Sequence, residues 1–228
     1  FNSSLENYLI AESLYSELKD EVQLARVFNN IGIILEINQE YVSAENYFVK
    51  SLGLKKKQNN DLLLVSTYNN LGLMCYYQKK YKESEQYYTQ AYDLAKPEKT
   101  YKIITTLLGL SDVAFKQKDY KKSISLLKKA ENLLPKFTND PLREVYVNMN
   151  FGAVYLEMNE DAKAFAYLSK AESQAKTYNA EYEFIEIYNS LYKYYKKNNI
   201  PVKAYEAIER SLAVKDSIFN DSRSKQLS

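Results

Sequence analysis

Three stretches of the chain, Phe28-Asn29-Asn30-Ile31-Gly32, Tyr68-Asn69-Asn70-Leu71-Gly72 and Asn148-Met149-Asn150-Phe151-Gly152, share an Asn in the third place, a large apolar residue and then Gly. Gly32 and Gly72 lie 40 residues apart and Gly72 and Gly152 lie 80 apart, one and two lengths of a single period. A second marker supplies the unit between them: Tyr41, Tyr81, Tyr120, Asp161 and Pro201 recur at steps of 40, 39, 41 and 40. Self-similarity at such a period means one supersecondary unit stacked along the chain, and it decides the fold before any local signal is weighed.

Working outward, the residues around each marker fall at spacings of three and four, as in Phe28, Ile31, Gly32 and Leu35, which places them on one face of a helix. Only 5 Gly and 4 Pro punctuate 228 residues, so the elements are long and the loops short. The expected fold is all-α, about 11 helices. Five two-helix units are expected at 21–59, 60–99, 100–138, 139–179 and 180–219. Ser4, Tyr8 and Ala11 stand 40 residues before Ala44, Phe48 and Ser51, so 1–20 reads as the second helix of a truncated unit. Residues 220–228 read as the start of a linker, and the whole as one domain. Punctuation agrees: Asn60-Asp61 and Asp140-Pro141 offer helix starts, and Pro97 and Pro135 are expected to follow helix ends.

Composition narrows the function. Lys and Arg number 31 against 29 Asp and Glu, so no global field draws in nucleic acid or an anionic membrane, and contact with neither is expected. No apolar run approaches the roughly 20 residues of a membrane span. The chain has no histidine, which removes the commonest general base and metal ligand together. Cys75 is the only cysteine and sits on a packed face, an inert core thiol. No Gly-rich phosphate loop is present, and Ser125-Leu126-Leu127-Lys128 has a serine-x-x-lysine spacing without companion motifs. No catalytic residue, metal ligand or cofactor is expected. Because the sequence opens at Phe1 without an initiator Met, it is expected to be a segment of a longer protein.

Unit by unit, the residues Phe28, Ile31, Gly32, Leu35, Tyr41, Ala44, Phe48 and Ser51 are matched by Tyr68, Leu71, Gly72, Cys75, Tyr81, Ser84, Tyr88 and Ala91. Leu107, Leu110, Ser111, Ala114, Tyr120, Ser123, Leu127 and Ala130 follow, then Asn148, Phe151, Gly152, Tyr155, Ala164, Leu168 and Ala171. The last unit has Tyr188, Leu191, Tyr192, Tyr195, Ala204, Ile208 and Ser211, with Tyr192 where the pattern wants Gly. This pattern resembles the tetratricopeptide repeat over about Asn2 to Phe219, in units longer than the common 34 residues.

The resemblance implies a superhelical solenoid of antiparallel helix hairpins, with first helices lining a concave wall that holds a protein or peptide segment. By register that wall includes Asn29, Ile33, Asn69, Leu73, Tyr76, Leu108, Asp112, Phe115, Met149, Asn189 and Lys193. Arg26, Glu36 and Ser66 lie on the same stripe. Asn29, Asn69 and Asn189 repeat at one position, where an amide can both donate to and accept from a peptide backbone. Asn30, Asn70 and Asn150, one residue on, read as packing residues. The family's grip on a C-terminal carboxylate wants Lys or Arg where Thr105 and Gly109 stand, so chaperone-tail binding is set aside. Lys55-Lys56-Lys57 reads as a basic helix end.

The segment Ala213-Val214-Lys215-Asp216-Ser217-Ile218-Phe219-Asn220 resembles the stretch that joins such arrays to output domains in Bacteroidetes-type sensor kinases and transcription regulators. That resemblance implies a sensory or regulatory input domain of a bacterial signalling protein, periplasmic if fused to a membrane sensor kinase and otherwise cytoplasmic. The alternatives are a scaffold or self-association module, with homodimer formation left open, and a quorum-sensing-type peptide receptor.

Overall fold

The computed structural model describes residues 2–58, 61–99, 101–136 and 141–227, with the side chains of 2, 3, 96–99 and 221–227 left aside. Eleven helices run through them. They are α1 (Asn2–Glu17), α2 (Glu21–Ile37), α3 (Tyr41–Lys56), α4 (Asp61–Tyr77), α5 (Tyr81–Lys99), α6 (Lys102–Lys116), α7 (Tyr120–Leu133), α8 (Leu142–Glu157), α9 (Asp161–Tyr178), α10 (Glu181–Lys197) and α11 (Pro201–Leu227). Among the described residues there is no strand; the one other element is a 3-10 turn at Leu134–Lys136. The residues at 220–227 continue α11. Two compact units share the helices, α1 to α6 in Phe1–Lys118 and α7 to α11 in Asp119–Ser228.

Each turn from a first helix to a second is built the same way. Gln39, Lys79, Lys118, Asn159 and Asn199 adopt left-handed backbone with φ between 56° and 63°, each two residues before the second helix begins. The amide of the next residue then closes back on the carbonyl five positions earlier: Glu40 to Leu35 at 2.8 Å, and Lys80 to Cys75, Glu160 to Tyr155 and Ile200 to Tyr195 at 2.9 Å. This satisfies carbonyls that a helix end leaves open. Asp20 and Asp119 cap α2 and α7, accepting from the amides of Gln23 and Lys122.

Glycine sets how closely the hairpins close. A Cβ on Gly32 would lie 2.7 Å from the Phe48 ring, and one on Gly152 2.6 Å from the Leu168 side chain. Tyr88 of α5 is wedged between two first helices: a Cβ would come within 2.9 Å of its ring at Gly72 on α4 and 2.3 Å at Gly109 on α6. The ring is buried, and burial, followed by the charges of Asp112, Tyr77, Tyr76 and Glu36, raises the pKa of its hydroxyl. Around these contacts the core is aliphatic in the N-terminal unit, with Ile31, Leu71, Met74, Ile103, Ile104 and Leu107 buried. In the C-terminal unit Leu168, Ala171, Ile187 and Leu191 form one cluster, with Tyr192 packed half-buried against it. Tyr192 holds off the close approach that Gly allows, and Ile208 opposite stays half-buried where Phe48, Tyr88 and Leu168 are buried.

One expectation is corrected. Pro97 does not follow a helix; α5 runs through it to Lys99. A proline so near a C-terminus forgoes one amide bond and leaves only two residues to misalign, a smaller penalty than in a helix centre. Pro135 does follow α7, inside the 3-10 turn. The proposed caps at Asn60 and Asp140 lie outside the described residues.

Candidate functional site

In the N-terminal unit, polar side chains tie the first helices α2, α4 and α6 side by side. Lys55, arriving from the end of α3, donates to Asn29 Oδ1 on α2 at 3.1 Å and to Thr67 Oγ1 on α4 at 2.8 Å. Thr106 of α6 donates to Asn69 Oδ1 on α4 at 2.8 Å. Lys102, the first residue of α6, donates to Ser66 Oγ and lies 3.5 Å from the Leu62 carbonyl, both on α4.

Of the expected wall residues, Asn29, Ile33, Asn69, Leu73, Tyr76, Leu108, Asp112 and Phe115 stand on these three helices. Ile33 is exposed, Asn29, Leu73, Tyr76, Leu108, Asp112 and Phe115 are half-buried, and Asn69 is buried at 7% exposure. Met149, Asn189 and Lys193 belong to the C-terminal unit, on α8 and α10. Met149 packs half-buried on the Leu168 cluster, Lys193 is exposed, and Asn189 Oδ1 accepts from Ser211 at 3.0 Å.

The repeated Asn residues are therefore only half available. Each has its side-chain oxygen engaged by the array, through Lys55, Thr106 or Ser211. An ammonium only donates, so the side-chain oxygen of Asn29 faces Lys55 and the orientation of its amide is fixed. At the register after Asn29, Asn30 donates to Tyr8 at 3.2 Å; at the register of Phe28 and Tyr68, Asn148 donates to Gln174 at 2.7 Å.

Two groups carry charge in costly places. Lys55 is 6% exposed, and burial together with the charge of Lys102 lowers its pKa to about 8. Both of its partners are neutral oxygens. Burial raises the pKa of the Glu36 carboxyl in the last turn of α2. The sequence places Glu36 on the wall stripe, but it marks Lys55 only as a helix-end cation. Its signal lay in the register, since Ala95 and Ala175, at 40 and 120 residues further on, are buried alanines.

Elsewhere, a cleft of about 110 Å³ opens in the C-terminal unit between α9, α10 and α11, lined by Glu172, Tyr188, Tyr195, Lys203, Glu206 and Arg210. Its own charges fill it: Arg210 lies 3.7 Å from Glu172 and over the Tyr188 ring, and Lys203 lies over Tyr195. Cys75 is fully buried, its thiol pushed up to about 12 by burial and by Glu45. Among the described residues no group of three or more His, Cys, Asp or Glu could hold a metal ion, and no helix is long and apolar enough to cross a membrane.

Solved structures share this architecture at low identity. The apo form of RapI superposes with a TM-score of 0.76 at 21% identity, over 95% of this chain and 77% of that one. Aspartyl phosphate phosphatase F from Bacillus subtilis gives 0.72 at 19%, covering 92% of this chain and 55% of that one. A Rap protein complexed with competence and sporulation factor gives 0.71 at 14%, covering 95% and 59%. The chain thus spans little more than half the length of the last two. No curated protein matches it. The sequence profile of the tetratricopeptide repeat matches residues 23–96 and again 63–136, together half of the 228 residues. The chain belongs to the tetratricopeptide repeat family.

Proposed function

We propose that the chain is a non-catalytic protein- or peptide-binding module, with the first-helix layer of α2, α4 and α6 as its principal face. The observation that carries this reading is the state of Asn29 and Asn69. Their oxygens are taken inside the array, and among the described residues no hydrogen bond engages their amide nitrogens. Ile33, Leu73, Tyr76, Leu108 and Phe115, on the same three helices, are exposed or half-buried and offer apolar surface to the side chains of a bound segment. A fold of this kind hosts many functions, so these residues bear the weight.

The finer reading is a sensory or regulatory input domain of a bacterial signalling protein. Its support is the likeness to the Rap protein complexed with competence and sporulation factor and to aspartyl phosphate phosphatase F, together with the Ala213–Asn220 segment. A peptide transmits a signal here only by favouring one arrangement of the repeats over another. The test is a thermal-shift and native-mass comparison of the protein alone and with peptide pools from bacterial extracts. A shift in Tm with a peptide retained in the native mass supports the module; no shift with any pool contradicts it.

A scaffold reading has one observation of its own. Val202, Tyr205, Leu212 and Phe219 of α11 are all exposed, at spacings that keep them on one side of the helix. A stable dimer by native mass, insensitive to peptides and abolished by Leu212→Glu, would favour it.

A further inference from the structure

The first-helix layer of the N-terminal unit carries opposite charges at its two edges, and at each edge one charge is placed against the dipole of the helix that holds it. Lys102 occupies the first residue of α6, where the helix dipole is positive, and Glu36 the last turn of α2, where it is negative. Neither placement serves helix stability. Lys55 joins Lys102 at the first edge, buried with only Asn29 and Thr67 as partners. Arg26, on the same stripe one turn before Asn29, is exposed and has no carboxylate partner among the described residues. At the other edge Glu36 has no cation partner among the described residues, and Asp112 stands in the C-terminal half of α6.

Three other lysines of the unit have carboxylate partners. Lys57 meets Glu21 at 2.5 Å, Lys80 meets Glu45 at 3.1 Å and Lys50 meets Glu12 at 3.9 Å. Lys55 and Glu36 are partly desolvated and have no counter-ion among the described residues, so the layer keeps one uncompensated charge of each sign. The seven residue steps from Asn29 to Glu36 span about 10 Å of helix, and the ten from Arg26 about 15 Å. An extended peptide covers that distance in three to four residues.

We propose, resting on the peptide-binding reading above, that this layer receives an extended peptide bearing a carboxylate and a cationic side chain three to four residues apart. The carboxylate sits at the Lys55–Lys102 edge and the cation at the Glu36–Asp112 edge. The acidic group is held not from positions 105 and 109 but from the end of α3 and the start of α6.

The experiment is a calorimetric titration with terminally blocked hexapeptide pools of four kinds: one acidic and one basic residue four positions apart, two acidic, two basic, and none charged. A fifth pool with a free C-terminus and one basic residue separates a terminal from a side-chain carboxylate as the source. The proteins are wild type, Glu36→Gln, Lys55→Met and, as a control, Lys215→Met, each checked for its fold by circular dichroism. The mixed-charge pool binds tightest in wild type. Glu36→Gln weakens it about tenfold and leaves the two-acid pool unchanged; Lys55→Met weakens it about tenfold and leaves the two-base pool unchanged. Equal binding of all charge classes, or variants that leave the ranking intact, overturns the charge pairing while the peptide-binding reading stands. No binding of any pool overturns both.

Discussion

Asn29, Ser51 and Lys55 recur 160 residues later as Asn189, Ser211 and Lys215, the same three residue types in the first and last hairpins. Their fates differ. In the N-terminal unit Ser51 donates to the Ala25 carbonyl at 2.7 Å, and Lys55 is buried between Asn29 and Thr67 of the next first helix. In the C-terminal unit the Ser211 hydroxyl lies 3.0 Å from Asn189 Oδ1, and Lys215 is exposed. The register sets which residue points where, but the neighbour packed over it sets whether a lysine is a solvated surface charge or a buried cation.

The comparison breaks first, and by the largest amount, at the glycines. Gly109→Ala meets a rigid ring held on both sides and is expected to cost about 3 kcal/mol. Gly152→Ala meets a flexible Leu and should cost about 1 kcal/mol. Urea unfolding of both variants checks this; equal losses would mean that Tyr88 is not locked.

Next come the two asparagines. Asn29→Ala leaves the Lys55 ammonium with Thr67 alone and is expected to lose about 2 kcal/mol. Asn189→Ala should lose under about 1 kcal/mol, because the Ser211 hydroxyl has the Ile185 carbonyl 3.5 Å away as an alternative. Thermal unfolding of the pair distinguishes the two environments.

The smallest effect is a pH dependence. Above pH 8 the folded state sheds the Lys55 proton while the unfolded chain keeps it to about 10.5. Unfolding then takes up a proton, and stability rises with pH across that window. The stability of wild type relative to Lys55→Met should therefore climb by about 1–2 kcal/mol from pH 8 to 10, with Lys102 and the tyrosines cancelling in the difference.

Much of this was legible in the sequence. The repeated Gly, the 40-residue step and the polar turns before Tyr41, Tyr81, Tyr120, Asp161 and Pro201 specify hairpins, because each is a local requirement met by a local residue. The first-helix stripe was legible too, since helical geometry alone puts Asn29, Ile33 and Glu36 on one face. What was not legible is which atoms remain free. The Asn amides were read as wholly available to a ligand, yet their oxygens are spent on Lys55 and Thr106, residues 26 and 37 positions away. Gly109 drew notice only as the lack of a cation; its use as a slot for Tyr88 depends on a ring arriving from another helix. A pattern averaged over units shows what they share, whereas the candidate site is made where one unit departs, as Lys55 does from Ala95 and Ala175.

The most direct test of the account follows the side-chain amides of Asn29 and Asn69 by NMR while the protein is titrated with its best-binding peptide. The account predicts that both amide signals shift together with backbone signals of α2, α4 and α6. Shifts confined to α11 or to the outward faces of α3 and α5, with both amides unmoved, would contradict it.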